Sequence, residues 1–306
     1  MAGSALAGTY SQSETISGND FFTAFTWENI ADPTSGRVVY VDQATAQSAN
    51  LSYVTGSSFV MAVDSTTTLA ATDAGRNSVR IKSANTYTTH VAVFDIAHMP
   101  QGCATWPAVW ETNESTWPDG GEIDILEGVN SVVPNQSTIH AGPNCAIPAS
   151  GTTEQGTIVG TDCNSNDNGN AGCGIQYAYD DNSIFAGFNG VGGGWYAMER
   201  TDTVINVWFW ERGASGVPSG VSSPASSIDT STWGTPAAAF PNTDCDFSSF
   251  TAHNIIVNID LCGSWAGSDT VYAASGCPST CVDYVNSNPS DFADAYFEFN
   301  AVTVYE

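Results

Sequence analysis

The chain has 306 residues, a length that one large domain or two small ones would fill. Only 12% of residues are charged, with Lys+Arg 6 against Asp+Glu 32, a formal net charge of −26. Such a polyanion is a poor partner for nucleic acid and for anionic membrane surfaces. Disorder is excluded by an apolar content of 42%, and no apolar run reaches the roughly 18–20 residues that span a bilayer.

Residues 1–8 (Met-Ala-Gly-Ser-Ala-Leu-Ala-Gly) lack the apolar stretch of a signal peptide. They read as a tail or expression scar ahead of one domain over 9–306. Helix periodicity is weak throughout, whereas strand signals are abundant. Ser78–Ile96 holds two runs rich in β-branched and aromatic residues, and Thr203–Trp210 and His253–Leu261 resemble them. Ala295–Tyr305 closes the chain with apolar alternation. Short strands between Gly, Ser, Asn and Pro clusters predict an all-β fold, a sandwich or jelly roll of two antiparallel sheets. Two long irregular stretches, about residues 146–194 and 213–249, are expected to be ordered surface excursions because both contain or adjoin cysteines.

Eight cysteines in an even set, without Cys-x2-Cys pairs or suitably placed histidines, point to disulfides and an extracellular location. Only Cys163–Cys173 is assigned, as the clasp of a polar loop. Sequons at Asn50, Asn113 and Asn135 fit passage through a secretory pathway. Residues Asn164–Gly169 imitate the start of a calcium loop, but Ile175 stands where a bidentate Glu is required, so an EF-hand is excluded. No cofactor or metal is expected to be required; a structural calcium stays open.

The most informative stretch is Gly120–Gly128, with Glu122, Asp124 and Glu127 in six residues of a charge-poor chain. On a helix Glu122 and Glu127 would stand about 140° apart, and the flanking glycines oppose a helix. On a regular strand Glu122 and Asp124 share one face while Glu127 turns to the other, with Ile123 and Ile125. A β-bulge at Ile125–Leu126, both opposing one neighbour, resets the alternation and returns Glu127 to the face of the other two. Close carboxyls cannot all ionise readily, so at least one pKa should rise. A carboxylate beside a protonated carboxyl is the pair that retaining glycoside hydrolysis uses. A calcium site and a solvated acidic edge strand are the competing readings. Tryptophans 106, 110 and 117 precede the acids. Trp117, in a polar loop, and Trp265, after Cys262-Gly263-Ser264, are candidate sugar platforms. Trp106 reads as core. No nucleophile elbow, zincin helix or phosphate-binding loop is present.

The spacing E-x-D-x-x-E, preceded by HMPQGCATWPAVWE (His98–Glu111), resembles glycoside hydrolase family 16, most closely its laminarinase branch of secreted fungal endo-β-1,3(4)-glucanases. Further likeness runs through Asp32–Asp42, Gly75–Ser83, Thr86–Asp95, Ile139–Cys145, Gly192–Thr201 and Pro278–Ser290. The resemblance implies a β-jelly roll with a cleft on its concave sheet, and endo-hydrolysis of β-1,3-glucan and mixed-linkage β-1,3-1,4-glucan with retained configuration. It implies Glu122 as nucleophile, Glu127 as acid/base and Asp124 as the residue that orients Glu122. Trp110 and Trp117 would line the cleft, His140 would hydrogen-bond near the carboxyls, and Arg80 and Trp265 would contact glucose units. The partner is then a β-glucan bound by a monomer. A cell-wall glucan transglycosylase and a lectin-like glucan-binding module remain the alternatives.

Overall fold

The computed structural model describes residues 8–177 and 181–306. The tail expected over residues 1–8 therefore lies, but for Gly8, outside the described residues. Two large sheets, nine- and eight-stranded, carry the fold, and every pairing in them is antiparallel. The fold is the β-jelly-roll sandwich that the strand pattern predicts.

The back sheet runs Ser227–Asp229, Thr9–Ile16, Tyr296–Tyr305, His90–His98, Gly194–Arg200, Val204–Glu211 and Ala238–Pro241, with the hairpin Ser52–Thr55 and Ser58–Ala62 added on Tyr296–Tyr305. The front sheet runs Thr157–Ile158, Cys173–Gln176, Gln136–His140, Glu122–Glu127, Thr105–Thr112, Asn254–Leu261, Arg80–Ser83 and Phe25–Trp27. Alternation decides which side chains fill the space between them. Ile255, Val257 and Ile259 point inward from the front sheet, and Phe94, Ile96, Phe297, Phe299, Val302 and Val304 are buried with them from the back. Each such side chain contributes roughly 1.5–3 kcal/mol on burial.

The back sheet is covered on its other side too. Val91, Val93, Trp195 and Trp208 pack beneath Val221, Ile228 and Trp233, which belong to the second irregular stretch. That explains why a segment with so little regular structure is ordered. Four disulfides complete the frame: Cys103–Cys277, Cys145–Cys245, Cys163–Cys173 and Cys262–Cys281. The assigned clasp is present, and Cys145–Cys245 ties the edge of the first irregular stretch to the second.

All six cations are held by protein partners. Arg37 bonds Asn286, Arg76 bonds the Val285 carbonyl and Arg200 those of Phe250 and Thr251. Arg212 pairs Asp95, and Arg80 and Lys82 pair Glu28 and Glu114. Few positive charges remain to meet an anionic ligand. No helix among the described residues is long and apolar enough to cross a membrane.

Candidate active site

The strand Glu122–Glu127 lies in the middle of the front sheet, and the expected bulge is there. Against Thr105–Thr112, Asp124 pairs Trp110 and Leu126 pairs Val109, leaving Ile125 extra. Against Gln136–His140, Asp124 pairs Thr138 and Glu127 pairs Gln136, so Ile125 and Leu126 together oppose Ser137. Ile123, Ile125 and Leu126 are all fully buried in the core. Burying two consecutive apolar side chains is what turns Glu127 back towards Glu122 and Asp124. All three carboxyls then line one cavity of about 430 Å³ on the outer face of the front sheet.

Each glutamate has its own indole donor. Trp117 Nε1 donates to Glu122 Oε2 at 2.6 Å, and Trp106 Nε1 donates to Glu127 Oε1 at 2.7 Å. His140 stands directly across from Glu122 on the next strand, its Nε2 3.3 Å from Asp124 Oδ2. Its Nδ1 donates to Asn170 Oδ1 at 3.0 Å.

The electrostatics separate the two glutamates. Burial, then the charge of Asp124, push Glu122 up to about 7, while His140, the Trp117 N–H and Arg80 pull it back. Glu127 is raised well above the ordinary carboxylate range, again by burial first and Asp124 second, with the Trp106 N–H opposing. Burial works against a charge on His140, yet Asp124, then Glu122 and Glu127, raise it to about 10. The site thus holds an imidazolium beneath the acids, with Glu122 the easier glutamate to ionise and Glu127 the one that keeps its proton.

Ligand atoms of Glu122, Asp124 and His140 lie within 4.8 Å of one another, close enough to invite a metal. An imidazolium with both nitrogens engaged has no lone pair to give, so the donor set is poor at neutral pH.

Of the remaining expected residues, Trp110, Arg80 and Trp117 line the same cavity, and Trp265 does not. Trp110 lines it, donating from Nε1 to Asn258 Oδ1 at 2.7 Å, and the Arg80 guanidinium lies over its ring at 5.0 Å. Arg80 also lines the cavity but is committed to Glu28 at 2.7 Å and Glu114 at 2.5 Å. Trp117 and Trp265 are among the most exposed large apolar side chains, at 43% and 36%. Trp265 meets Trp106 edge to face at 5.5 Å.

Trp106 is the correction: it is not core, but lines the cavity and bonds Glu127. The signal was in the sequence, since residues four apart on a strand share a face and Trp106 follows Trp110 to the cleft. Asn258 and Asp260 were also missed. Period-2 alternation with the buried Ile255, Val257 and Ile259 would have placed both on the cleft side. Asn170 carried no such signal, because it sits in the clasped loop and reaches His140 only through the fold.

Comparison with known proteins finds relatives along almost the whole chain. Laminarinase 16A from Phanerochaete chrysosporium, solved with two 6-O-glucosyl-laminaritriose molecules in donor and acceptor sites, is 54% identical with a TM-score of 0.96. The match covers 98% of this chain and 100% of that one. An elongating family 16 β-1,3-glucosyltransferase is 38% identical with a TM-score of 0.89, over 97% and 100%. A probable endo-1,3(4)-β-glucanase of Aspergillus fumigatus is 40% identical over 97% of this chain, which spans only 46% of that protein's length. A probable glycosidase of Schizosaccharomyces pombe is 37% identical over 98% of this chain and 70% of its own. The model of the XgeA-like catalytic GH16 domain matches residues 25–305, a stretch that holds the bulged acid strand and both indole donors, and the chain belongs to glycoside hydrolase family 16.

Proposed function

We propose that residues 9–306 form one catalytic domain that cleaves internal linkages of β-1,3-glucan, and of mixed-linkage β-1,3-1,4-glucan, with retention of configuration. The observation that carries this reading is the pair of glutamates on one bulged strand, each with its own indole donor and its own distance from ionisation. Glu127, protonated, gives its proton to the glycosidic oxygen as Glu122 attacks the anomeric carbon. Water, deprotonated by Glu127, then releases the sugar from Glu122. Asp124 and His140 act as an ion pair under the acids. His140, held against Asp124, adds a positive charge that favours ionisation of Glu122. Trp110, Trp106 and Trp117 offer flat faces to glucose rings, with Trp265 and Arg80 at the margins.

The site needs no metal, the protein is secreted, and it works as a monomer. Disulfides and the likeness to fungal glucanases support secretion. Digestion of laminarin and of lichenan, with mass analysis of the products, tests the activity. Mid-chain oligosaccharides from both support the reading, and no release from either overturns it. Unchanged rates in chelator would support metal independence. A second reading, transfer of glucan chains to sugar acceptors, is favoured by the likeness to the elongating glucosyltransferase. Products longer than the substrate at high acceptor concentration would identify it.

A further inference from the structure

Behind the acid strand lies a buried group of charged and polar side chains that the reaction does not use. Arg200, at the end of Gly194–Arg200 in the back sheet, reaches forward. Its Nη2 donates to the carbonyls of Phe250 and Thr251, both at 2.7 Å. Three residues on, the fully buried His253 donates from Nε2 to the carbonyl of Gly120 at 2.7 Å. The Thr251 amide reaches the same carbonyl at 3.2 Å. The Phe250 ring presses on Gly121 so closely that a Cβ there would lie 2.5 Å from it, and Gly121 has φ +81°. At the other end of the loop, Asn113 Nδ2 donates to Thr251 Oγ1 at 3.0 Å. Both ends of the loop over residues 113–121 therefore rest on one short segment, 250–253, braced from the opposite sheet.

That loop carries Trp117, whose N–H holds Glu122, and Gly120 is two residues before Glu122 in the chain. His253 suits the work of a fixed donor. Burial, and then the charge of Arg200, lower it to about 4, so the ring is neutral above that pH, and the Gly120 carbonyl keeps its proton on Nε2. Glu111 and His90, paired at 2.9 Å, complete the groups facing it.

We propose that His253 is a positioning residue: through the Gly120 carbonyl it fixes the Trp117 loop, and so the indole that keeps the Glu122 carboxylate available. The proposal rests on the reading of Glu122 as nucleophile. Besides Trp117, the groups facing Glu122 are Asp124, Glu127, His140 and Arg80, and the variants below leave all of them in place.

The test compares His253→Leu, which loses the donor, His253→Gln, whose Nε2 keeps it, and Thr251→Val at an exposed position. Each is assayed for KM and pH profile on laminarin. The Trp117 indole N–H is followed by NMR, identified by its loss in Trp117→Phe. His253→Leu and Thr251→Val should raise KM about 2- to 10-fold, move the ascending pH limb upward and speed exchange of that indole proton, while His253→Gln restores all three. If His253→Leu does not fold, Thr251→Val, which frees the Asn113 end of the same loop from the same segment, decides. A folded His253→Leu or Thr251→Val with unchanged KM, pH limb and indole signal overturns the proposal, whatever its melting temperature. The indole signal reads the loop without turnover, so a protein inactive on laminarin still separates failure of this proposal from failure of the functional reading.

Discussion

Asn170 accepts a 3.0 Å hydrogen bond from His140 Nδ1 from inside the loop closed by Cys163 and Cys173. A surface clasp thereby helps orient the imidazolium beside Asp124. Asn170→Ala should lower kcat on laminarin about tenfold, the worth of one hydrogen bond to a charged group. The melting temperature should fall only modestly: Asn170 is exposed, but its φ of +63° suits Asn better than Ala. Replacing both Cys163 and Cys173 by Ser should lower kcat similarly and also destabilise the protein by about 2–3 kcal/mol, seen by denaturant unfolding. A tenfold loss in neither variant would sever the clasp from the site.

The two glutamates should fail differently when truncated. Glu122→Ala removes the group that forms the covalent intermediate, and kcat should fall by on the order of 10⁴-fold or more. Glu127→Ala removes proton transfer, worth roughly 10²–10⁴-fold, with the smallest loss on substrates with good leaving groups. Added azide should rescue both, giving the α-glycosyl azide with Glu122→Ala and the β-azide with Glu127→Ala. The opposite pattern by NMR would exchange the two roles.

The pH profile should be a bell whose two limbs belong to two residues. Activity needs Glu122 ionised and Glu127 protonated. The ascending limb of kcat/KM therefore follows Glu122 and the descending limb Glu127, both raised by burial and Asp124. The Trp117 N–H stabilises the Glu122 carboxylate, so Trp117→Phe should move the ascending limb to higher pH and leave the descending limb in place. An unmoved ascending limb would remove Trp117 from the electrostatics of the site.

The same raised values make the site a source of instability at alkaline pH. A carboxyl whose folded pKa exceeds its unfolded value, about 4.3, favours folding below that value and loses this contribution as pH rises through the folded pKa. Glu127→Gln removes the ionisation. It should raise the melting temperature at pH 8 by at least about 2 °C and change it little at pH 4. Equal shifts at both pH values by calorimetry would assign the effect to packing instead.

Much of the fold was legible from local chemistry. The strands Val204–Glu211, Asn254–Leu261 and Tyr296–Tyr305 follow from β-branched and aromatic runs whose alternation has one stable solution, two sheets face to face. The bulge was legible for a sharper reason. Without it a carboxylate would enter the core, which is costly unless a partner meets it there. Trp106 was misread although its spacing from Trp110 placed it on the cleft face. A lone tryptophan is usually core, and that prior outweighed the register.

The sequence by itself determined that three acids share a strand face and that tryptophans accompany them, because alternation and the cost of burying charge act over neighbouring residues. His140 was expected near the acids from the family resemblance, but only the tertiary structure decided how it and the other residues that serve them are held there. His140 opposite Glu122, Asn170 behind His140, and His253 under Gly120 are joined by strand pairing and loop closure between segments far apart in the chain. A hydrogen bond depends on distances of a few tenths of an ångström, and no spacing along one segment fixes such a distance to another.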